Sequence, residues 1–259
     1  MTESTAAPDA VHTLELFLCN AIIMSGRKEG TLMRNFTIVA LLILIALLAL
    51  PGPSFPSDEL DAQALVDKSA AVVKRFAADK DFTIFQEHVK KAKALLIMPR
   101  VLKVGFVWGG SGGEGVLVVK DEKTGAWSQP VFYIIGSVSF GPQIGAQEAE
   151  VIMLAMSQKA IDTLYSSSFK FGGDLSVAAG PEGFGAKRIV TADFVSFAKA
   201  KGLYAGLNLE GSGVQVRDDL NKAYYGRAVR PVEIIVQKTA RNPRSAELHA
   251  VLEKAFGSH

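Results

Sequence analysis

The amino-acid sequence predicts an α+β domain with a curved, mostly antiparallel sheet flanked by helices, and leaves barrel-like closure open. Three observations predict it. Beyond residue 100 the chain runs through short segments rich in β-branched and aromatic residues, punctuated by most of its 24 glycines, a pattern of strands and tight turns. Two segments before residue 95 instead repeat apolar residues at helical spacing. No strand–helix–strand rhythm recurs, which argues against a parallel doubly wound sheet.

The order of elements starts with a leader. Phe36 to Leu50 is an unbroken apolar run of 15 residues, preceded by Arg34 and followed by Pro51, Gly52, Pro53 and Pro56. A membrane span needs about 20 apolar residues. A positive flank, a short apolar core and a helix-breaking exit read as a signal peptide over residues 33–57, with an uncleaved anchor as the alternative. Residues 1–32 then read as an over-extended N-terminus, and the protein is expected to be exported, periplasmic or membrane-associated.

Residues 58–94 read as the helical N-terminal part of the domain. Over residues 58–78, Ala62, Leu65, Val66, Val72, Val73 and Phe76 share one face and Lys68, Lys74 and Arg75 another, an amphipathic helix that can pack on a core or lie on a bilayer. Asp58 and Glu59 suit the positive end of its dipole. A second helix is expected over Asp81–Ala94, carrying Phe82, Phe85 and Val89.

From residue 95 to 226 a β-rich core is expected. Val101–Trp108, Val116–Lys120, Val131–Phe140, Phe169–Phe171, Leu175–Ala179 and Phe194–Lys199 read as strands. Val151–Met156 reads as a buried strand, and residues 203–209 alternate with period two. Short helices are expected at Gln158–Tyr165 and Asp218–Tyr225. The C-terminal segment, 227–259, holds a helix at Ser245–Phe256.

The composition excludes several functions. A net charge of +2 from 28 basic and 26 acidic residues gives no footprint for nucleic acid. The single cysteine, Cys19, allows neither an internal disulfide nor a cysteine metal site. Gly110, Gly112 and Gly115 satisfy G-x-G-x-x-G, but a strand-like Val116–Val119 follows instead of a helix, so a glycine-rich hairpin loop is the expected structure. His12, His88, His249 and His259 form no metal-binding spacing. No nucleophile elbow occurs, and acids such as Glu148, Asp162 and Asp193 are dispersed. No catalytic residue, cofactor or metal is expected. Trp108, Trp127 and Tyr133 suit either a core or a lipid interface.

One stretch stands out electrically. Lys90, Lys91, Lys93, Arg100 and Lys103 fall within 14 residues, and no acid occurs between Glu87 and Glu114. Lysines at a helix end answer its dipole. They also suit an anionic bilayer, where each contributes about 1 kcal/mol. These five residues are the expected lipid-binding site.

Several glycine-anchored segments carry a family resemblance: Pro99 to Phe106, Gly113 to Leu117, Gly125 to Pro130, Gly141 to Gly145, Gly180 to Gly183, Lys201 to Gly211, and Tyr224 to Gly226. In this order they resemble the SYLF domain over residues 95–226. The resemblance implies binding of anionic phospholipid, phosphoinositides in eukaryotic members, by an N-terminal amphipathic helix and nearby basic residues. It also implies actin contact in some members. This chain has Phe184 where the family often carries arginine, with Lys187 and Arg188 beyond it. The function expected is non-catalytic binding of an anionic phospholipid membrane. The alternative is a cell-envelope module that binds protein partners.

Overall fold

The computed structural model describes residues 58–79, 82–105, 108–140, 145–180, 191–200, 203–204 and 209–257. All lie in one of the chain's two compact units, Phe55–His259. The leader reading, residues 1–57, falls outside the described residues. Among the described residues no helix is long and apolar enough to cross a membrane.

Two helices open the domain, α1 (Asp58–Ala78) and α2 (Thr83–Val89). Four long strands follow: β1 (Ala94–Gly105), β2 (Trp108–Val119), β3 (Val131–Phe140) and β4 (Gly145–Ala155). Then come α3 (Gln158–Thr163), β5 (Ser168–Lys170), β6 (Val177–Ala179), β7 (Phe194–Ala200), β8 (Leu203–Tyr204) and β9 (Gly213–Val216). The chain closes with α4 (Asp218–Tyr225), α5 (Pro231–Ile235), a 3-10 turn (Pro243–Ser245) and α6 (Ala246–Phe256). The strands form one curved sheet in the order β5-β9-β3-β2-β1-β4-β7-β6, with β8 paired to β7. Among the described strands every pairing is antiparallel except β6 with β7. The α+β class with a curved, mostly antiparallel sheet is therefore observed.

On the near side of the bulge at Pro99 the sheet is buried on both faces, which explains its continuous apolar runs there. In β1, Ala94, Leu96 and Met98 enter one cluster with α3, α5 and Phe169, Phe171 and Leu175. Leu95 and Ile97 enter the other, with α1, α2, α4 and α6. Tyr133 is wholly buried, and its hydroxyl donates to Leu164 O at 2.5 Å. The second cluster holds a nest of rings. Phe85 lies 5.4 Å from Phe76, 5.2 Å from Phe82, 5.3 Å from Phe197 and 5.8 Å from Phe256, centroid to centroid. On its border Lys199 Nζ meets Asp79 Oδ2 at 2.5 Å and lies 5.0 Å from the Phe76 ring centroid, a cation–π contact.

Two expectations are corrected. The run Gly110–Gly115 is not a hairpin loop but the middle of β2, paired on one side with β1 and on the other with β3. Its glycines answer a bulge. The register of β1 shifts between Ile97 and Arg100, around Pro99, which has no N–H to give the ladder. The displaced β1 backbone crowds β2, so a Cβ on Gly115 would stand 2.2 Å from Ile97 O and one on Gly113 2.5 Å from Arg100 O. The second helix stops at Val89, not Ala94, because Ala94 already pairs with both Val119 and Ala155. Of the two readings of the apolar face of α1, packing on the core is the one observed, through Ala62, Val66, Ala70, Val73 and Phe76, so it is not a free face for a bilayer.

A polar joint fixes the β7 end of the sheet. Ser157 caps α3 by accepting from Ala160 N, and its hydroxyl donates to Asp193 Oδ1 at 2.6 Å. Asp193 Oδ2 accepts from Ser176 N at 2.9 Å and from Ser176 Oγ at 2.8 Å. Burial alone would raise this carboxyl, but the serine hydrogen bonds outweigh it and hold it below the usual carboxylate range. A depressed carboxyl gives stability that is present above its unfolded pKa, about 3.9, and lost as pH falls through the lower folded value. Asp193→Asn should therefore cost about 1–3 kcal/mol near pH 7. In urea melts the gap between the two proteins should narrow below about pH 3.9. An unchanged gap at pH 2.5 would contradict this account.

A basic cleft at the β2–β3 turn

The turn between β2 and β3 is built by one acid. Asp121 Oδ1 accepts from Lys123 N and Thr124 N, both at 2.9 Å, while Oδ2 takes Lys238 Nζ at 2.6 Å. Gly125, at φ +73°, closes the turn, a backbone setting that favours glycine. The lysine ammonium, then the two turn amides, hold the Asp121 carboxyl far below its ordinary value. One side chain thus shapes the turn and ties it to the segment after α5. Lys238 itself has φ 54°, a strained setting for a non-glycine residue.

Beside this turn lies a cleft of about 820 Å³. Its wall carries Lys93 from the α2–β1 connection, Lys120 and Lys123 from the turn, and Lys238 and Arg241 from the α5–α6 connection. Against these five cations stand two carboxylates, Asp121 and Glu122. Glu122 pairs with Lys93. Lys123 and Arg241 have no ion-pair partner among the described residues. A shallower depression of about 500 Å³ continues the same surface to Lys91. The floor is apolar: Val119, Ile161, Ile234, Ile235 and Ala240 are all buried.

Trp127 closes one wall and is 9% exposed. Its indole N–H is buried with no acceptor among the described residues. Leaving such a donor unanswered costs about 1–3 kcal/mol. Lys120 Nζ lies 5.8 Å from the ring centroid. His249 Nε2 lies 2.9 Å from Ser128 O, so that ring is engaged with the backbone. Trp127 belongs to the cluster of α1, α2, α4 and α6, and the isoleucines belong to the other. The cleft therefore opens where the two apolar layers meet at the end of the sheet.

The five cations expected to act together are divided. Lys90 and Lys91 are exposed at the end of α2, and Lys93 lies beside them at the cleft. Arg100 lies beyond the bulge, paired with Glu148 at 2.9 Å. Lys103 is half-buried in β1 opposite Ser111 and Gln147. At about 3.3 Å per strand residue, Lys103 lies roughly 30 Å along β1 from Lys93. In place of these two, the fold brings Lys120, Lys123, Lys238 and Arg241 to the lysines after α2. Those four gave no one-signed signal in the sequence, because Asp121 and Glu122 sit between the first two and the others follow more than 100 residues later.

Such a site can hold an anion. Its cations offer donors to an oxyanion, and among the described residues no group of three histidine, cysteine, aspartate or glutamate side chains could hold a metal ion.

Comparison with known proteins points to a family. Residues 136–255 match the Ysc84 family, described as "Las17-binding protein actin regulator". An SH3 domain-containing protein of Schizosaccharomyces pombe is 34% identical over 168 residues, which is 62% of this chain and 39% of that one. Protein YSC84 of Saccharomyces cerevisiae is 31% identical over 176 residues, 65% of this chain and 37% of that one. SH3 domain-containing YSC84-like protein 1 of Homo sapiens is 30% identical over 211 residues, 78% of this chain and 60% of that one. The chain thus spans less than two thirds of the length of each. The match begins at Gly136, inside β3, so the folded unit reaches further toward the N-terminus than the matched region. Residues 136–255 of this chain are thus similar to the Ysc84 family, the SYLF family that the glycine-anchored segments also resemble.

Proposed function

We propose that this domain binds anionic phospholipid surfaces without catalysing a reaction, and that Lys90, Lys91 and Lys93 are the core of its contact, extended by Lys120 and Lys123. The supporting observation is the convergence of cations from separate segments on one end of the sheet, in a protein whose net charge is only +2. Positive groups at an anionic membrane contribute about 1 kcal/mol each, and their reach shrinks as salt rises. Arg100 and Lys103 form a second, weaker contact at the far end of β1.

Reversing Lys90, Lys91 and Lys93 to glutamate together should lower binding to phosphatidylserine-containing vesicles by on the order of a hundredfold or more. Flotation at 50 mM and 500 mM salt reads this, with the larger loss at low salt. Binding that survives the triple change but falls with Arg100→Glu and Lys103→Glu would move the contact to the other end of the sheet. An exported protein meets this surface outside the cytoplasm, and N-terminal peptide mapping of native protein tests the signal-peptide reading behind that.

A second reading has its own support. The matched family is described by a binding partner and by actin regulation, and one relative is LAS seventeen-binding protein 3. On this reading the domain holds a protein partner. Leu102, Val104 and Val138, exposed on the helix-side face of the sheet's far end, are the apolar residues such a partner would cover. Pull-down that persists in detergent without vesicles would favour it.

A further inference from the structure

The cleft differs in shape and lining from a surface that only touches a bilayer. Lys90 and Lys91 are outside its wall, whereas Trp127, Ile234, Ile235 and Arg241 are within it. A flat array of headgroups reaches the rim lysines but not buried isoleucines. A volume of about 820 Å³ falls in the range that encloses one small molecule, about 300–1,000 Å³. Three features then specify the molecule. The rim is cationic, the floor is aliphatic, and the wall holds a buried donor, Trp127 Nε1–H, to which the described residues supply no acceptor. Buried donors are almost always answered, so an exception in a concave wall points to an acceptor brought from outside.

We propose that the cleft binds one molecule of a single-chain anionic amphiphile. Its oxyanion is held by Lys123, Arg241 and the Trp127 indole N–H, and its hydrocarbon chain lies on Ile161, Ile234 and Ile235. The inference deepens the anionic-surface reading, since cleft and contact surface share Lys93, Lys120 and Lys123. The same chemistry is found in a monomeric amphiphile in solution and in a lipid drawn from a bilayer.

The test is calorimetric titration of the full chain with dodecyl phosphate below its micellar concentration. Inorganic phosphate and dodecyl maltoside supply the head alone and a neutral head. One-to-one saturable binding of dodecyl phosphate is expected, at least tenfold tighter than either control. Trp127→Phe keeps a ring and removes the N–H, and should weaken binding at least fivefold. Arg241→Gln should do the same, which keeps the test decisive if the tryptophan variant unfolds. In a Trp108→Phe background Trp127 is the remaining indole of two, and its emission should change in step with the heat. Vesicles preloaded with dodecyl phosphate and then mixed with protein distinguish extraction from capture in solution.

Equal affinity for inorganic phosphate, or no saturable heat, would overturn the proposal. Lys90→Glu with Lys91→Glu should weaken vesicle flotation and leave dodecyl phosphate binding unchanged. Flotation without calorimetric binding therefore sinks the cleft assignment alone. Calorimetric binding without flotation sinks only the membrane reading.

Discussion

Phe85→Ala is expected to cost about 3–5 kcal/mol of stability, among the largest losses for a single core truncation. Phe85 is wholly buried and its ring meets four others. Those rings come from α1, the α1–α2 connection, β7 and α6, so one side chain joins four parts of the chain. Its loss removes apolar transfer energy and leaves a cavity that the rigid sheet cannot close. Edge-on ring pairs contribute a further 0.5–1.5 kcal/mol or so each beyond area. Phe85→Leu keeps most of the volume and should cost less. Urea unfolding followed by circular dichroism gives the difference from the shift in midpoint at constant slope. A Phe85→Ala midpoint within error of the parent would contradict the packing described. The same change also tests the proposed membrane contact, because α2 is only seven residues long and Phe85 and Val89 are its buried anchors. Loosening them frees the turn that presents Lys90 and Lys91, so vesicle binding should weaken at temperatures where the sheet is still folded.

Within the run Gly109–Gly115 the glycines should divide sharply by position. Gly115→Ala is expected to cost on the order of 3 kcal/mol, because the new methyl would stand 2.2 Å from the carbonyl of Ile97 and 2.9 Å from the side chain of Met98. Carbonyl and strand must move, and the bulge at Pro99 with them. Gly112→Ala should be neutral or mildly stabilising, since its nearest atom would be Ile135 O at 3.5 Å and alanine lowers the entropy of the unfolded chain. Thermal melts of the two variants side by side give the contrast. Equal behaviour would mean that β1 and β2 are not pressed together at the bulge.

The sequence made some of this fold legible and hid the rest for physical reasons. The strand Val131–Phe140 and the helix Asp218–Tyr225 carry their own local signals, and both are observed with those bounds. The strand character of Gly110–Gly115 was hidden, because glycine has poor strand propensity and only pairing on both sides holds it extended. The helix α5 went unseen, being five residues of Pro-Val-Glu-Ile-Ile that read equally as strand. Lys90, Lys91 and Lys93 were visible as a one-signed cluster. Arg100 and Lys103 shared that cluster only along the chain, since a strand carries neighbours in sequence away from one another in space. Lys238 and Arg241 reach the cleft by tertiary folding alone.

The packing of α1 against α6 also bears on how the protein is made. Lys74 meets Glu247 across 173 positions of chain and Glu59 meets Arg244 across 185. At the 5–20 residues per second of ordinary translation, roughly ten to thirty-five seconds separate the emergence of the first helix from that of its cover. Throughout that interval the part of the first helix that α6 covers, unlike the part packed on β1 and β2, lies open to chaperone or bilayer alike. A surface that α6 claims in the finished molecule is thus uncovered on that side while the rest of the chain is being made.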